Sequence, residues 1–313
     1  MRTAELDYDL PPELIAQRPL ERRDDSRLLV YERATGATRH RRFRDLPAEL
    51  PDGALVVVND TRVVPARLRV RRPGGGEAEI LLLEPAGDGL WEALARPTRR
   101  LRAGMRLDGT ELVEHRGEGR WLVRLEGPPS GEAPLPPYIV EPLAEPERYQ
   151  TVYADEAGSA AAPTAGLHFT EELLAGLDVE RVTLHVGLDT FRPVSADDLD
   201  DHEIHSERYR VEEPAWERIR AAGRVVAVGT TTVRVLESLA CGGPLAGRTS
   251  LFVTPGFEFR RVDALVTNFH LPRSTLLALV MAFAGVGETR RLYREAIAER
   301  YRFYSFGDAM LIL

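Results

Sequence analysis

Five histidines fall within about a hundred residues of this chain: His168, His185, His202, His205 and His270. Imidazole exchanges protons near neutral pH, so such a group suits acid–base chemistry, although a single buried histidine is more often a hydrogen-bonded core residue. His168 lies within GSAAAPTAGLHFT, a run so small-sided from Ser159 to Thr164 that a backbone could approach a ligand there, which makes Pro163, Thr164 and Gly166 candidate binding positions. VAVGTTTVR at Val226–Arg234 predicts a strand ending at Gly229 and a helix opening on Thr230 and Thr231. The free N–H groups and dipole of that helix start favour an anion, with Arg234 one turn on; a plain N-cap is the alternative. VVNDTRVVPARL places Asn59, Asp60 and Arg62 at the end of a buried strand, where polar groups either face a ligand crevice or cap a turn. VTNFHLP adds Asn268 beside His270. His202-x-x-His205-x-Glu207 is a weak metal signal, because the spacing is not that of a zinc helix.

Composition narrows the chemistry. The 313 residues are 43% hydrophobic and 29% charged, as in an ordinary soluble domain or pair of domains. One cysteine, Cys241, excludes an internal disulfide and a cysteine-rich metal site. The 41 basic side chains are all arginine, which removes lysine Schiff-base chemistry. A net charge of −8 argues against a general nucleic-acid binder, yet arginines cluster. Residues 38–72 carry nine against four acids, and residues 96–106 carry five with no acid. Arginine binds phosphate bidentately, so residues 39–44, 67–72 and 96–102 are basic runs able to meet an anion. The longest apolar stretch, 274–286, is too short to cross a bilayer, and the acidic N-terminal segment lacks a secretory pattern, so the expected location is the cytoplasm.

The elements that must position these residues follow from periodicity. Residues 1–50 read as short proline-fenced helical turns around a strand–turn–strand, SRLLVYERATGATRHRRF, and ALVVVNDTRVV reads as a buried strand. From residue 66 to about 139, short alternating runs separated by Gly- and Pro-rich turns predict a small all-β unit, barrel-like, in which Trp91 and Trp121 are core residues. After about residue 149 helices and strands alternate, with Thr170 capping TEELLAGL and Pro214 opening PAWERIRAAG. The expected architecture is an α/β main domain with a mixed sheet, residues 1–65 together with 149–313, interrupted by an inserted β-barrel-like domain, residues 66–148. The apolar C-terminus is expected to be tucked into the fold, with Asp308 a turn residue.

The order of these segments, together with DYDLPPELIAQRP, DDSRLLV, PLPPYI, YQTVYA, TLHVG, DTFRPV, AVGTTTVRVLES and SFGDAML, closely resembles the S-adenosylmethionine:tRNA ribosyltransferase-isomerase family of queuosine biosynthesis. The resemblance covers nearly the whole chain and is weakest in the β insert. Ala160, Leu188, Asp189, Thr232, Phe257 and Phe306 depart from the family pattern, and Asp189 is the departure that alters charge. The resemblance implies transfer and isomerisation of the ribosyl part of S-adenosylmethionine onto 7-aminomethyl-7-deazaguanine at the tRNA wobble position. Epoxyqueuosine-tRNA, adenine and methionine are the products. It further implies S-adenosylmethionine as co-substrate, no metal or other cofactor, and tRNA as partner; a monomer is expected. Such chemistry needs a base at the 5′ carbon beside the sulfonium and an acid near the departing purine. His168, His185 and His270 are the expected acid and base, with the Gly229 turn taking the methionine carboxylate or a phosphate.

Overall fold

The structure is a computed structural model, and it describes residues 1–187, 190 and 192–313. Its main sheet has nine strands. These are β1 (Arg27–Glu32), β2 (Ala37–Arg42), β3 (Leu55–Asn59), β12 (Val179–Leu184), β13 (Glu207–Arg210), β14 (Val225–Val228), β15 (Ala246–Thr249), β16 (Ala264–Asn268) and β17 (Ala309–Ile312). Their order across the sheet is β15-β13-β12-β3-β14-β16-β17-β1-β2. Neighbours β12, β3, β14 and β16 run parallel, while β13, β15, β17 and β2 bring antiparallel pairings, so the sheet is mixed. The central strands are β-branched and buried on both faces, as parallel strands covered by helices must be.

Strict alternation divides each strand between two cores. Leu29, Leu55, Val57, Val225, Ala227, Leu265 and Met310 face one side. There α3 (Glu213–Ala221), α4 (Thr230–Ala240), α5 (Thr275–Ala284) and α6 (Val286–Ala298) bury their apolar stripes. Leu28, Val56, Val58, Val226, Val266 and Leu311 face the other side, against Phe43, Leu46 of α1 (Leu46–Glu49) and Phe169, which precedes α2 (Glu171–Ala175). Ser274 and Thr170 cap α5 and α2, accepting from Leu277 N–H at 3.1 Å and Leu173 N–H at 3.2 Å. The C-terminus is a full strand, β17, inserted between β16 and β1. Asp308 just before it accepts from the N–H groups of Arg27 at 2.8 Å and Arg302 at 2.7 Å, which makes it a structural anchor.

The second sheet is antiparallel and six-stranded: β5 (Arg67–Arg71), β6 (Glu77–Gly87), β7 (Leu90–Arg96), β10 (Arg120–Leu125), β9 (Thr110–His115) and β8 (Arg106–Leu107), in that spatial order. It curls around its own core of Leu68, Ile80, Leu82, Ala93, Leu112, Trp121 and Val123, with Trp91 packed at the margin. Its edge strands meet through Arg71 N–H donating to the Asp108 carboxylate at 2.7 Å, which gives a barrel-like shape without a continuous ladder. A two-stranded parallel pair is formed by β4 (Thr61–Val63) and β11 (Glu156–Ser159). Among the described residues no helix is long and apolar enough to cross a membrane.

Candidate active site at the carboxyl ends of the parallel strands

Polar residues of an open α/β sheet face ligands where parallel strands end, and Asn59, His185, Gly229 and Asn268, four of the residues singled out by sequence, lie at or just beyond those ends. β3 ends in Asn59, which is fully buried. Its amide donates to Leu184 O at 2.9 Å and Thr231 Oγ1 at 3.3 Å, and accepts from Leu184 N–H at 2.9 Å and Thr61 N–H at 3.2 Å. Asn59 therefore clamps β3, β12 and the start of α4 together. Asp60 accepts from the Thr183 hydroxyl at 2.7 Å. Burial raises its carboxyl above the ordinary range, helped by Glu156 and Asp155 and opposed by Thr183 and Arg181. Arg62 alternates to the opposite side and pairs with Glu147 at 2.7 Å, on a separate groove with Val63 and Gln150.

His185 is the first residue beyond β12. Its Nδ1 lies 2.9 Å from Thr61 Oγ1. One ring face lies flush on Gly158, where an added Cβ would sit 2.8 Å from the ring, so only glycine fits. Burial, then the charge of Arg208, lowers the ring's pKa, which keeps it neutral and able to accept a proton. His185 forms part of the wall of a cleft of about 300 Å³ between the two sheets. Leu83, Glu92 and Leu94 come from the six-stranded sheet; Gly158, His185, His205 and Arg208 come from the opposite side. Arg248 of β15 bridges to Glu84 of β6 across it at 2.8 Å. A wider hollow of about 1020 Å³, walled by Asp60, Thr183 and Arg181, shares His185, Arg208 and Arg248 with the cleft.

His168 and His270 sit in buried networks instead. His168 Nδ1 is 2.8 Å from Ser26 Oγ, and Nε2 is 3.1 Å from Asn268 Nδ2. The same Asn268 nitrogen is 3.4 Å from the carbonyl of Asp308, which can only accept; Nδ2 must therefore be the amide donor. It follows that His168 Nε2 accepts and Nδ1 carries the proton toward Ser26. Burial, reinforced by Arg302 and Arg23, lowers this ring to about 3. His270 Nε2 meets Thr267 Oγ1 at 2.7 Å, and its main chain is held by the hydroxyls of Tyr293 and Tyr8. Burial lowers it to about 3 as well.

The small-sided loop packs protein against protein. The 3₁₀ turn Thr164–His168 places Gly166 where a Cβ would collide with the Tyr153 hydroxyl. Thr164 Oγ1 donates to Asn268 Oδ1 at 3.1 Å, joining Pro163–Gly166 to the His168 network. Ala165 covers Gly229, whose Cβ position is 3.7 Å from its methyl. Gly229 has φ +88°, a left-handed conformation that turns β14 sharply into α4. Thr230 and Thr231 occupy the first turn, where N–H groups have no acceptor within the helix, and Thr232 donates to Val228 O at 2.7 Å.

Arg234 lies one turn further and is buried. It pairs with the Glu207 carboxylate and donates to Leu251 O at 3.0 Å and Thr249 O at 3.1 Å, so its fork supports the cleft from beneath. Glu207 Oε1 accepts from Gly187 N–H at 2.8 Å and lies 3.3 Å from His205 Nε2. Burial alone would raise the Glu207 carboxyl; Arg234, His205 and the Gly187 N–H outweigh it and bring it below the ordinary value. In the sequence, His205 and Glu207 stand out only as part of a weak metal pattern. Their spacing of two, which puts both side chains on one side of an extended chain, is the signal for a carboxylate-backed histidine. His202 packs on Phe252 at 5.6 Å, and among the described residues no group of three His, Cys, Asp or Glu side chains is placed to hold a metal. Leu188 and Asp189, two of the departures from the family pattern, lie outside the described residues.

A mixed sheet with a polar, titratable cleft beside its parallel strand ends, faced by a separate antiparallel sheet, defines an α/β protein with an open cleft suited to a polar ligand. The chain belongs to the queuosine biosynthesis protein family, whose model matches residues 3–312. It is 57% identical over 329 residues to an S-adenosylmethionine:tRNA ribosyltransferase-isomerase of Rubrobacter xylanophilus, covering 100% of this chain and 98% of that one. It is 47% identical over 340 residues to the enzyme of the same name from Thermotoga maritima, covering 100% of both. The crystal structure of S-adenosylmethionine tRNA ribosyltransferase from Thermotoga maritima superposes with a TM-score of 0.58 at 41% identity, over 99% of this chain and 100% of that chain.

Proposed function

We propose that this protein is an S-adenosylmethionine:tRNA ribosyltransferase-isomerase. It moves the ribosyl moiety of S-adenosylmethionine onto the aminomethyl nitrogen of 7-aminomethyl-7-deazaguanine at the tRNA wobble position. The product is epoxyqueuosine-tRNA, with adenine and methionine released. The observation that carries the site assignment is that His185 and His205 wall one cleft in contrasting settings. His185, held neutral by burial and by Arg208, takes the 5′ proton acidified by the sulfonium. His205, backed by Glu207, gives a proton to the departing adenine. The neutral aminomethyl nitrogen, giving up one proton, bonds to C1′ as adenine leaves. The electron pair left at C5′ closes onto C1′ as the C1′–O4′ bond breaks, and the freed oxygen closes the epoxide on C5′ and expels methionine.

The first turn of α4, Gly229 to Thr231, takes the methionine carboxylate, because its N–H groups and dipole favour an anion. Asn59, Arg234 and Glu207 hold that turn and the cleft floor in place. His168, Asn268, Thr164 and the Pro163–Gly166 turn fix the end of β16, as His270 does from its other side. In this reading residues 66–148 are an inserted unit on a body formed by 1–65 and 149–313, supported by the separate core of the second sheet. The enzyme works as a cytoplasmic monomer, with S-adenosylmethionine as co-substrate and no metal or other cofactor. Incubation with S-adenosylmethionine and tRNA bearing the aminomethyl-deazaguanine base is expected to release adenine in step with modified tRNA. Methyl transfer, or no adenine, would refute the reading.

A further inference from the structure

Three arginine runs compete to meet the tRNA, and their surroundings separate them. In the first, Arg39 and Arg41 share the Glu49 carboxylate at 2.8 and 2.6 Å, and Arg44 pairs with Asp25 at 2.6 Å. In the second, Arg69 pairs with Glu132 at 3.3 Å and Arg67 lies 3.9 Å from Glu79. The third differs. Arg96, Arg99, Arg100, Arg102 and Arg106 are all exposed, and none has a carboxylate partner among the described residues. Arg102 donates only to the carbonyls of Arg99 and Leu101. Glu79 stands opposite Arg96 in the ladder, but it is Arg67 that its carboxylate meets.

The position of this run is the second observation. Glu92 and Leu94 of β7 line the inter-sheet cleft. Side chains two apart on a strand share a face, so Arg96 lies on the same face of β7 as Glu92 and Leu94, one step past the cleft-lining Leu94. The turn Thr98–Arg100 and the segment to Arg106 then extend the cationic surface outward from it. Five guanidinium groups without an acid partner among the described residues, on a chain of net charge −8, form a local site for a polyanion, and guanidinium is matched to phosphate.

We infer that the loop between β7 and β8, through Arg96, Arg99, Arg100, Arg102 and Arg106, grips the phosphate backbone of the tRNA anticodon arm while the wobble base enters the cleft. This rests on the function proposed above. The test uses the full-length chain with Arg96, Arg99, Arg100 and Arg102 changed together to Ala, a second variant with the same four changed to Lys, and R39A/R41A as a comparison. Affinity for an anticodon stem-loop RNA is measured across a salt series, and adenine release is followed with modified tRNA. Each phosphate that the protein no longer neutralises is expected to flatten the log–log salt slope by about 0.7–0.9, so the slope of the Ala variant is shallower by about 3. Its Kd and KM rise at least about tenfold near physiological salt, its kcat at saturating tRNA stays within about twofold, and the Lys variant recovers most of the slope. An unchanged Kd and slope in the Ala variant, or an equal weakening in R39A/R41A, overturns the inference. A wild-type chain that releases no adenine overturns the proposed function instead, and the binding series still decides the loop.

Discussion

At the scale of single residues, histidines with the same sequence credentials occupy different physical settings. His185 has one ring face on Gly158 and its edge on a cleft, whereas His168 has both ring nitrogens engaged inside the protein. His185→Ala is expected to lower kcat about 100-fold or more with little change in melting temperature, the usual effect of removing a general base. Single-turnover adenine release checks it, and a variant with normal turnover would remove His185 from the mechanism. His168→Ala removes one buried hydrogen-bond partner from each of the Asn268 amide and the Ser26 hydroxyl and leaves a cavity between them, and is expected to cost about 1–3 kcal/mol of stability. Urea titration should show that loss, while kcat per folded molecule stays close to wild type. A stable variant with abolished turnover would return His168 to the catalytic role.

At the scale of elements, α4 carries the largest burden. Its N-terminus meets Asn59 and Ala165, and its body holds Arg234 against Glu207 under the cleft. Replacing Arg234 with Met strands a buried carboxylate beneath Gly187 and is expected to cost about 3–5 kcal/mol. Adding Glu207→Gln should recover much of that stability, because the uncompensated charge is then gone. Chemical denaturation of the single and double variants measures this. A double variant no more stable than R234M would show that packing of the guanidinium, rather than its charge, holds the element.

At the scale of the whole molecule, two rings buried as neutral imidazoles make the fold sensitive to acid. His168 and His270 are lowered from 6.5 to about 3 in the folded chain. Below about pH 6.5 the unfolded chain binds a proton on each ring and the folded chain does not, so stability is full above that pH and declines as pH falls. At about 1.4 kcal/mol per ring for each pH unit, the two together remove roughly 4 kcal/mol by pH 5. The melting temperature should therefore fall clearly between pH 7 and pH 5, and less so in a His168→Asn variant. A flat profile would mean that one or both rings are protonated in the folded state.

Local physics made most of the fold legible. Alternation and β-branched runs place β1, β3, β14 and β16 where they occur, and the cap at Thr170 and the end of β14 at Gly229 depend on neighbours only a few residues away. The texture change at residue 66 likewise marks the six-stranded sheet with its own core. The short strands β11, β13 and β15 lack that legibility, because sheet pairing across long sequence separations, not propensity, makes them strands. The same reason divides the site. Residue types announced a histidine-rich, acid–base surface and three arginine runs. Which histidine reaches a cleft, which is enclosed by Ser26 and Asn268, and which arginines are left without an acid are decided by residues far apart in sequence. Burial and partners, which set proton affinity and availability, exist only once β12, β3, β14 and β16 lie side by side with the second sheet folded over their ends.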